Sequence, residues 1–215
     1  MLEATIIIDY QNVHLIGLNL FKPLLEKNGH YLDPYMFATR LIDKRNSNQK
    51  KKELAAFASK ILVFRGLPSP TYDSRSYSRN LNQATAWQTS NSVTVIHRPL
   101  KYIFQKDSNG KFELNHRDER IIKSKREKGI DVLCALALVR EARTSGLVIL
   151  ASQDSDLVPA LDDALSLNAA RIETFSWYSR GNRRSLELRP DSQRIWNTRL
   201  NENDFLKCLD NRKYN

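Results

Sequence analysis

Two apolar runs in this chain stop abruptly at acids. Ile6-Ile7-Ile8 meets Asp9, with Tyr10, Gln11 and Asn12 behind it, and Val148-Ile149-Leu150-Ala151 passes through Ser152-Gln153 into Asp154-Ser155-Asp156. A further acid, Asp131, follows Lys128-Gly129-Ile130 at the head of an apolar stretch. Short apolar runs bounded by polar residues are the mark of strands buried on both faces. Open α/β folds collect their ligands at the carboxyl ends of such strands. These segments are therefore expected to bring their carboxylates to one edge of a parallel sheet. Unpaired carboxylates crowded together raise one another's pKa, and a hard divalent ion such as Mg2+ or Mn2+ is the natural compensation.

The 215 residues suit one domain with one substantial core. Apolar residues at 41% and charged residues at 27% exclude collagen-like and disordered classes. Thirty-four Lys and Arg against 24 Asp and Glu leave a net charge of +10, and the acids assigned to the pocket are among those 24. The remaining surface is thus more basic than the total, which points to a polyanionic partner, nucleic acid before an acidic membrane surface. Met-Leu-Glu-Ala-Thr lacks the cationic and apolar regions of a secretory leader, and the longest apolar run, Leu133 to Val139, is too short to cross a bilayer. A cytoplasmic protein is expected. Cys134 lies in an apolar helical stretch and Cys208 near the end, without a Cys-x-x-Cys or a nearby His pair, so neither a zinc site nor a disulfide framework is expected.

Periodicity predicts a strand over 4–9, then a helix over 11–26 with Leu15, Leu18, Phe21, Leu24 and Leu25 at helical spacing. Asp33-Pro34 predicts a helix start, followed by Met36, Phe37, Leu41 and Ile42 on one face. A second strand is expected at 61–64, a long loop over 66–80, a helix over 77–89 and a third strand at 93–97. Residues 100–105 and 111–114 flank Asn109-Gly110, a strong hairpin signal. From about 117 the chain reads as helix, charged and then apolar through Val139, with Gly146 as its C-cap. A fourth strand at 147–151, a helix at 156–167 and a fifth strand at 171–176 follow, then a short strand near Ile195 and a terminal helix at 203–209. The fold class is α/β: a three-layer sandwich on a mainly parallel sheet of about five strands, with an inserted β-hairpin near 100–114. The whole of 1–215 is read as one domain, its core 3–176 and an extension over 177–215.

Each acid has a local alternative. Asp9, Asp154 and Asp156 can cap helices, and Asp131 can offset a helix dipole. Two aspartates at one strand end exceed what a cap requires. Asn12, one helical turn beyond Asp9, can hydrogen-bond a phosphate or hold Asp9 in place. Metal-assisted phosphodiester hydrolysis accounts best for the set. Asp162 and Asp163 read as a solvated face or as partners for arginine. His14, His30, His97 and His116 are scattered, and neither a Gly-x-Ser-x-Gly elbow nor a phosphate-cradling glycine loop occurs.

These motifs resemble those of NYN-domain proteins of the LabA-like group, within the PIN-like ribonuclease superfamily. The family's opening strand ending in Asp, with Asn three residues on, matches Asp9 and Asn12. Its Lys-x-x-Asp before an apolar helix matches Lys128 to Asp131. Its Ser-Gly-Asp-Ser-Asp matches Ser152 to Asp156, with Gln153 in place of glycine. Tyr10 stands where many members carry glycine. The resemblance covers about 3–176. It implies a PIN-like fold and Mg2+- or Mn2+-dependent endonuclease activity on RNA, with Asp9, Asp131, Asp154 and Asp156 on the metal and Asn12 beside them.

Basic residues fall in blocks: eight Lys or Arg over 40–65, ten over 97–128 and seven arginines over 171–199. Arg98, Lys101, Lys106, Lys123, Lys125, Arg126, Lys128, Arg180, Arg183 and Arg184 flank sheet-edge positions and are candidates for phosphate contacts. Tyr72, Tyr77, Tyr102, Trp177 and Tyr178 lie among them and can stack on unpaired bases, Trp177 being more ordinary as core. The expected partner is single-stranded RNA or an RNA loop. An RNA-binding module without turnover and a DNA nuclease are the competing readings, and a homodimer is left open.

Overall fold

The computed structural model describes residues 1–22, 30–144, 146–181 and 187–214. In chain order these form β1 (Leu2–Asp9), α1 (Tyr10–Phe21), β2 (Tyr31–Leu32), α2 (Pro34–Ser47), β3 (Ala56–Leu67), α3 (Ser74–Trp87), β4 (Val93–Pro99), β5 (Lys101–Phe104), β6 (Ile122–Arg126), α4 (Ile130–Glu141), β7 (Leu147–Ala151), α5 (Val158–Ser166), β8 (Arg171–Trp177), β9 (Trp196–Leu200), α6 (Glu202–Lys207) and β10 (Leu209–Asp210). Leu24 and Leu25 of the expected first helix lie outside the described residues.

Six strands form one sheet in the order β4-β3-β1-β7-β8-β9, every neighbouring pair parallel. Strand alternation sends Ile6 and Ile8 to one face and Ile7 to the other. The Ile6 face packs on Val13 and Leu18 of α1, Phe37 and Leu41 of α2, Trp87 of α3 and Phe205 of α6. The Ile7 face packs on Cys134 and Leu138 of α4 and Leu161 of α5. The result is the expected α/β three-layer sandwich. Its sheet has one strand more than expected because Trp196–Leu200 pairs in parallel with β8. Among the described residues, no helix is long and apolar enough to cross a membrane.

Helix starts follow local capping chemistry. Asp33 Oδ1 accepts from Tyr35 N (2.8 Å) and Met36 N (3.0 Å), with Pro34 at the first turn, where its missing N–H costs nothing. The core also takes in charge. Arg45 and Glu173 form a bidentate pair at 2.7 and 2.9 Å, their side chains 0% and 1% exposed, tying α2 to β8. Arg171 adds a further bond to Glu173 at 2.6 Å. A pair this dry holds only because nearly every donor and lone pair has a partner.

The charged segment after 117 is not helical. Ile122–Arg126 is instead the return strand of an antiparallel arm, pairing with β5 from Lys101↔Arg126 to Phe104↔Ile122. The Asn109-Gly110 turn is present at the arm's far end, closed by Asp107 N to Lys111 O at 2.9 Å, with φ of +79° at Gly110. Beyond the turn, Phe112 and Leu114 make single bridges to Lys106 and Arg120, so the hairpin runs well past 114. Like-charged side chains standing out from a ribbon avoid the crowding of a helix, which explains why charge density misreads as helix here. Helix α4 begins only at Ile130 and is capped at its end by Ala142. Gly146, at φ +129°, instead opens β7 where a Cβ would stand 3.1 Å from Glu3 O.

An acidic cleft at the sheet's switch point

Strand order reverses on either side of β1, whose neighbours β3 and β7 are far apart in sequence from each other. Such a switch point leaves a crevice at the strands' carboxyl ends. A cleft of about 540 Å³ lies there, lined by Asp9, Gln11, Asn12, Glu127, Lys128, Asp131 and Asp154, with Leu15, Ile16, Gly129, Ile130 and Val132.

Asp9 ends β1 and caps α1. Its Oδ1 accepts from Asn12 N (3.3 Å) and its Oδ2 from the Ser152 hydroxyl (3.1 Å). Ser152 in turn accepts from Asp154 N (3.3 Å), and Asn12 Oδ1 accepts from Gln153 N (2.8 Å). These bonds stitch the start of α1 to the end of β7. Burial pushes the Asp9 carboxyl up from 3.8 to about 6, helped by the charges of Asp154 and Asp131, while the bonds from Asn12 and Ser152 pull the other way. Capping and cleft lining are thus combined in Asp9. Asp154 shows the same combination, with its Oδ1 accepting from Asp156 N at 3.1 Å. Asp131 sits in the first turn of α4. Asp156 is exposed and is not among the residues lining the cleft.

Glu127 is an acid of this cleft that sequence reasoning did not single out. Its Oε1 accepts from Gly66 N at 2.6 Å. With the Gln11 amide nitrogen turned toward it, Gln11 donates to Oε2 at 2.8 Å and Oε1 at 3.1 Å. A Cβ on residue 66 would meet Leu100 at 2.4 Å and Glu127 Oε1 at 2.6 Å, so glycine there admits the carboxylate. Burial pushes Glu127 up to about 7, the Asp9 charge adds to this, and Gly66 N–H and the Arg65 charge oppose it. Its only local signal is its place four residues before Asp131 across Gly129, whose φ of +74° turns the chain between them.

Arg65 supplies positive charge behind the acids. Its guanidinium lies 4.8 Å from the Tyr10 ring centre and 5.1 Å from that of Trp87. With the Asn80 amide turned, Asn80 Oδ1 accepts from Arg65 at 3.2 and 3.3 Å. Burial lowers its pKa, and the rings partly replace lost water through cation–π attraction.

The basic candidates divide. Arg98 Nε donates to Lys128 O at 2.7 Å and its guanidinium covers Gly129, so it braces the turn before α4. Lys125 pairs with Asp73, the cap of α3, and joins the arm to that helix. Lys128 lines the cleft, Lys101, Lys123 and Arg126 are exposed along the arm, and Arg180 is exposed beyond β8. Arg183 and Arg184 lie outside the described residues. Trp177 is core, its Nε1 donating to Val13 O at 2.8 Å, and Asp162 accepts backbone bonds from Asp191 and Ser192 rather than an arginine.

The carboxylates border the cleft without converging: among the described residues, no three His, Cys, Asp or Glu side chains are placed to hold one metal ion. As a donor set, oxygen ligands alone suit a hard cation rather than zinc. No family model and no curated protein matches the chain. Among solved structures it is similar to a protein of unknown function from Vibrio parahaemolyticus RIMD 2210633, at 14% identity over 81% of this chain and 80% of that one, with a TM-score of 0.41.

Proposed function

We propose that the protein is a Mg2+- or Mn2+-dependent ribonuclease acting inside unpaired RNA, the activity its motifs imply by resemblance to the NYN group of the PIN-like superfamily. The observation that carries this reading is the gathering of Asp9, Glu127, Asp131 and Asp154, from three chain-distant segments, around one cleft in a chain of net charge +10. Those four would have to draw together to hold the ion, since they border the cleft without converging, and Asp156 lies outside its lining. When bound, a divalent ion lowers the pKa of water and offsets charge on the attacked phosphate. The chain's own part is positional. Asn12, its oxygen committed to Gln153, keeps its amide nitrogen for a phosphate oxygen, and Lys128 attracts the backbone to the rim.

A second reading, an RNA-binding module without turnover, is favoured by the absence of a converged triad of acids among the described residues. A DNA nuclease would share the acidic cleft and differ in contacts to the sugar. Incubation with labelled single-stranded RNA and matched DNA, in Mg2+, Mn2+ or EDTA, separates them. Metal-dependent cutting of RNA that is lost in Asp154→Asn and Glu127→Gln supports the ribonuclease. RNA binding with no cutting under any condition moves the assignment to the binding module, and preferential cutting of DNA to the DNA nuclease.

A further inference from the structure

The arm formed by β5 and β6 is built unlike a structural hairpin. Tyr72, from the loop before α3, packs on Tyr102 at 5.3 Å and Phe104 at 5.0 Å between ring centres, and Phe104 meets Phe112 edge-on at 6.1 Å. These rings form a continuous row in which Tyr102 and Phe104 are half-buried and Tyr72 and Phe112 reach solvent. Tyr72 is 44% exposed and Phe112 41%. Cations lie on the same row: Arg120 stands 4.3 Å from the Phe112 ring centre and Lys106 5.1 Å from it. Neither cation makes an ion pair among the described residues. A groove of about 600 Å³ runs beside Tyr72 and Arg120, within the size range of small-ligand pockets. The Glu119 carboxylate also lines it but is held by the Asn115 amide at 2.9 Å.

We propose that this arm is a stacking platform that selects unpaired strands: bases lie on the Tyr72 ring and on the Arg120 guanidinium backed by Phe112, while Lys106 neutralises a phosphate between them. The occupant follows from charge and ring chemistry together. Residues 97–128 hold ten Lys and Arg against five acids, which calls for a polyanion, and the exposed Tyr72 ring beside a guanidinium backed by Phe112 suits a chain that offers both bases and phosphates. A duplex offers the same phosphates but keeps its base faces covered. Continuity with the cleft is covalent. Strand β6 ends at Arg126, and Glu127 and Lys128, the next residues, line the cleft, so a strand lying along the arm is led to the acids. This inference rests on the nucleic-acid reading above and adds to it where the substrate is held and why it is single-stranded.

The test uses the full chain in an Asp154→Asn background in EDTA, so that binding is read without cleavage. Affinity is measured for an unstructured oligouridylate and for an RNA duplex of equal length. Tyr72→Leu/Phe112→Leu, which keeps apolar packing but removes the rings, is expected to weaken single-strand binding by about 25-fold or more, each stacked base being worth about 5-fold at least. Duplex binding is expected to stay within 2-fold or so, and Tyr72→Phe/Phe112→Tyr to bind like the parent. Unchanged single-strand binding, or equal loss on both RNAs, overturns the platform. So does a concentration-dependent self-association of the parent that the leucine variant abolishes, since the rings would then be covered by a second copy. If the parent cuts RNA and the leucine variant does so with unaltered affinity, the platform fails while the nuclease stands; a parent that binds no RNA sinks both.

Discussion

Asp9→Asn should make this protein more stable at neutral pH and leave it no better in mild acid. The Asp9 carboxyl titrates near 3.8 in an unfolded chain and near 6 in the folded one, because burial and the charges of Asp154 and Asp131 disfavour its ionised form. Between those values the folded state holds a proton that the unfolded state has released. Stability is therefore present in full below pH ~4 and is lost as pH rises through ~6. Roughly two pH units at 1.36 kcal/mol each set a ceiling of about 3 kcal/mol on that loss. Asparagine carries no charge. Its oxygen can accept from Asn12 N and its amide can donate to the Ser152 hydroxyl, which both donates and accepts. Chemical denaturation in EDTA at pH 4.5 and pH 8 should give a variant about 1–3 kcal/mol more stable than the parent at pH 8 and equal or slightly weaker at pH 4.5. Glu127 contributes a similar slope up to about 7, which should soften in the variant because the Asp9 charge helps raise it. Magnesium should stabilise the parent more than the variant at pH 8, since a ligand that binds only the folded state adds to its stability. Equal destabilisation at both pH values would refute the reasoning and leave Asp9 as a helix cap alone.

Other perturbations bear on the surrounding structure. Gly66→Ala places a Cβ against Leu100 and the Glu127 carboxylate and should cost about 1–3 kcal/mol in thermal or urea unfolding, with weakened metal response of the cleft. Arg45→Met leaves Glu173 buried with Arg171 as its remaining cation and should cost about 3–5 kcal/mol, much of which Arg45→Met/Glu173→Met recovers in the same assay. Asp210 is buried, which opposes ionisation, yet bonds from Arg212, Tyr214 and Trp87 outweigh this and hold its carboxyl at about 2. The stability it adds is complete above pH ~4 and fades as pH falls toward 2. Asp210→Asn should therefore lower stability at pH 7, by about 1.5–3 kcal/mol for a bond to a charged group, and flatten the acid limb of the pH profile.

The candidate site was legible where its signals are local. Asp9 and Asp154 were visible because an apolar run that meets an acid marks a strand end, whatever lies next to it. Asp33-Pro34 marked a helix start for the same reason: a cap bonds within three residues. Glu127 was hidden because its neighbours are Arg126 and Lys128, and an acid among bases reads as a solvated face. The backbone N–H of Gly66, 61 residues away, and the Gln11 amide hold it in the cleft. The arm was half visible. Asn109-Gly110 announced a turn, but the return strand, Lys123 to Arg126, has the composition of an exposed helix, and its pairing with β5 depends on a partner the local pattern does not name.

Local pattern carries the buried central strands β1, β3, β7 and β8 and the acids after β1 and β7, since periodicity of two or 3.6 residues and capping act over a few positions. Adjacency comes from the packed fold alone. It placed β7 beside β1, so that Ser152 reaches Asp9; it wrapped Arg65 in Tyr10 and Trp87; and it lined Tyr72 up with Phe104 and Phe112. Desolvation and charge coupling depend on which groups meet in space. The raised carboxyls of Asp9 and Glu127 therefore exist only once chain-distant segments meet, β7 beside β1 for Asp9 and Gly66 of β3 against residue 127 for Glu127.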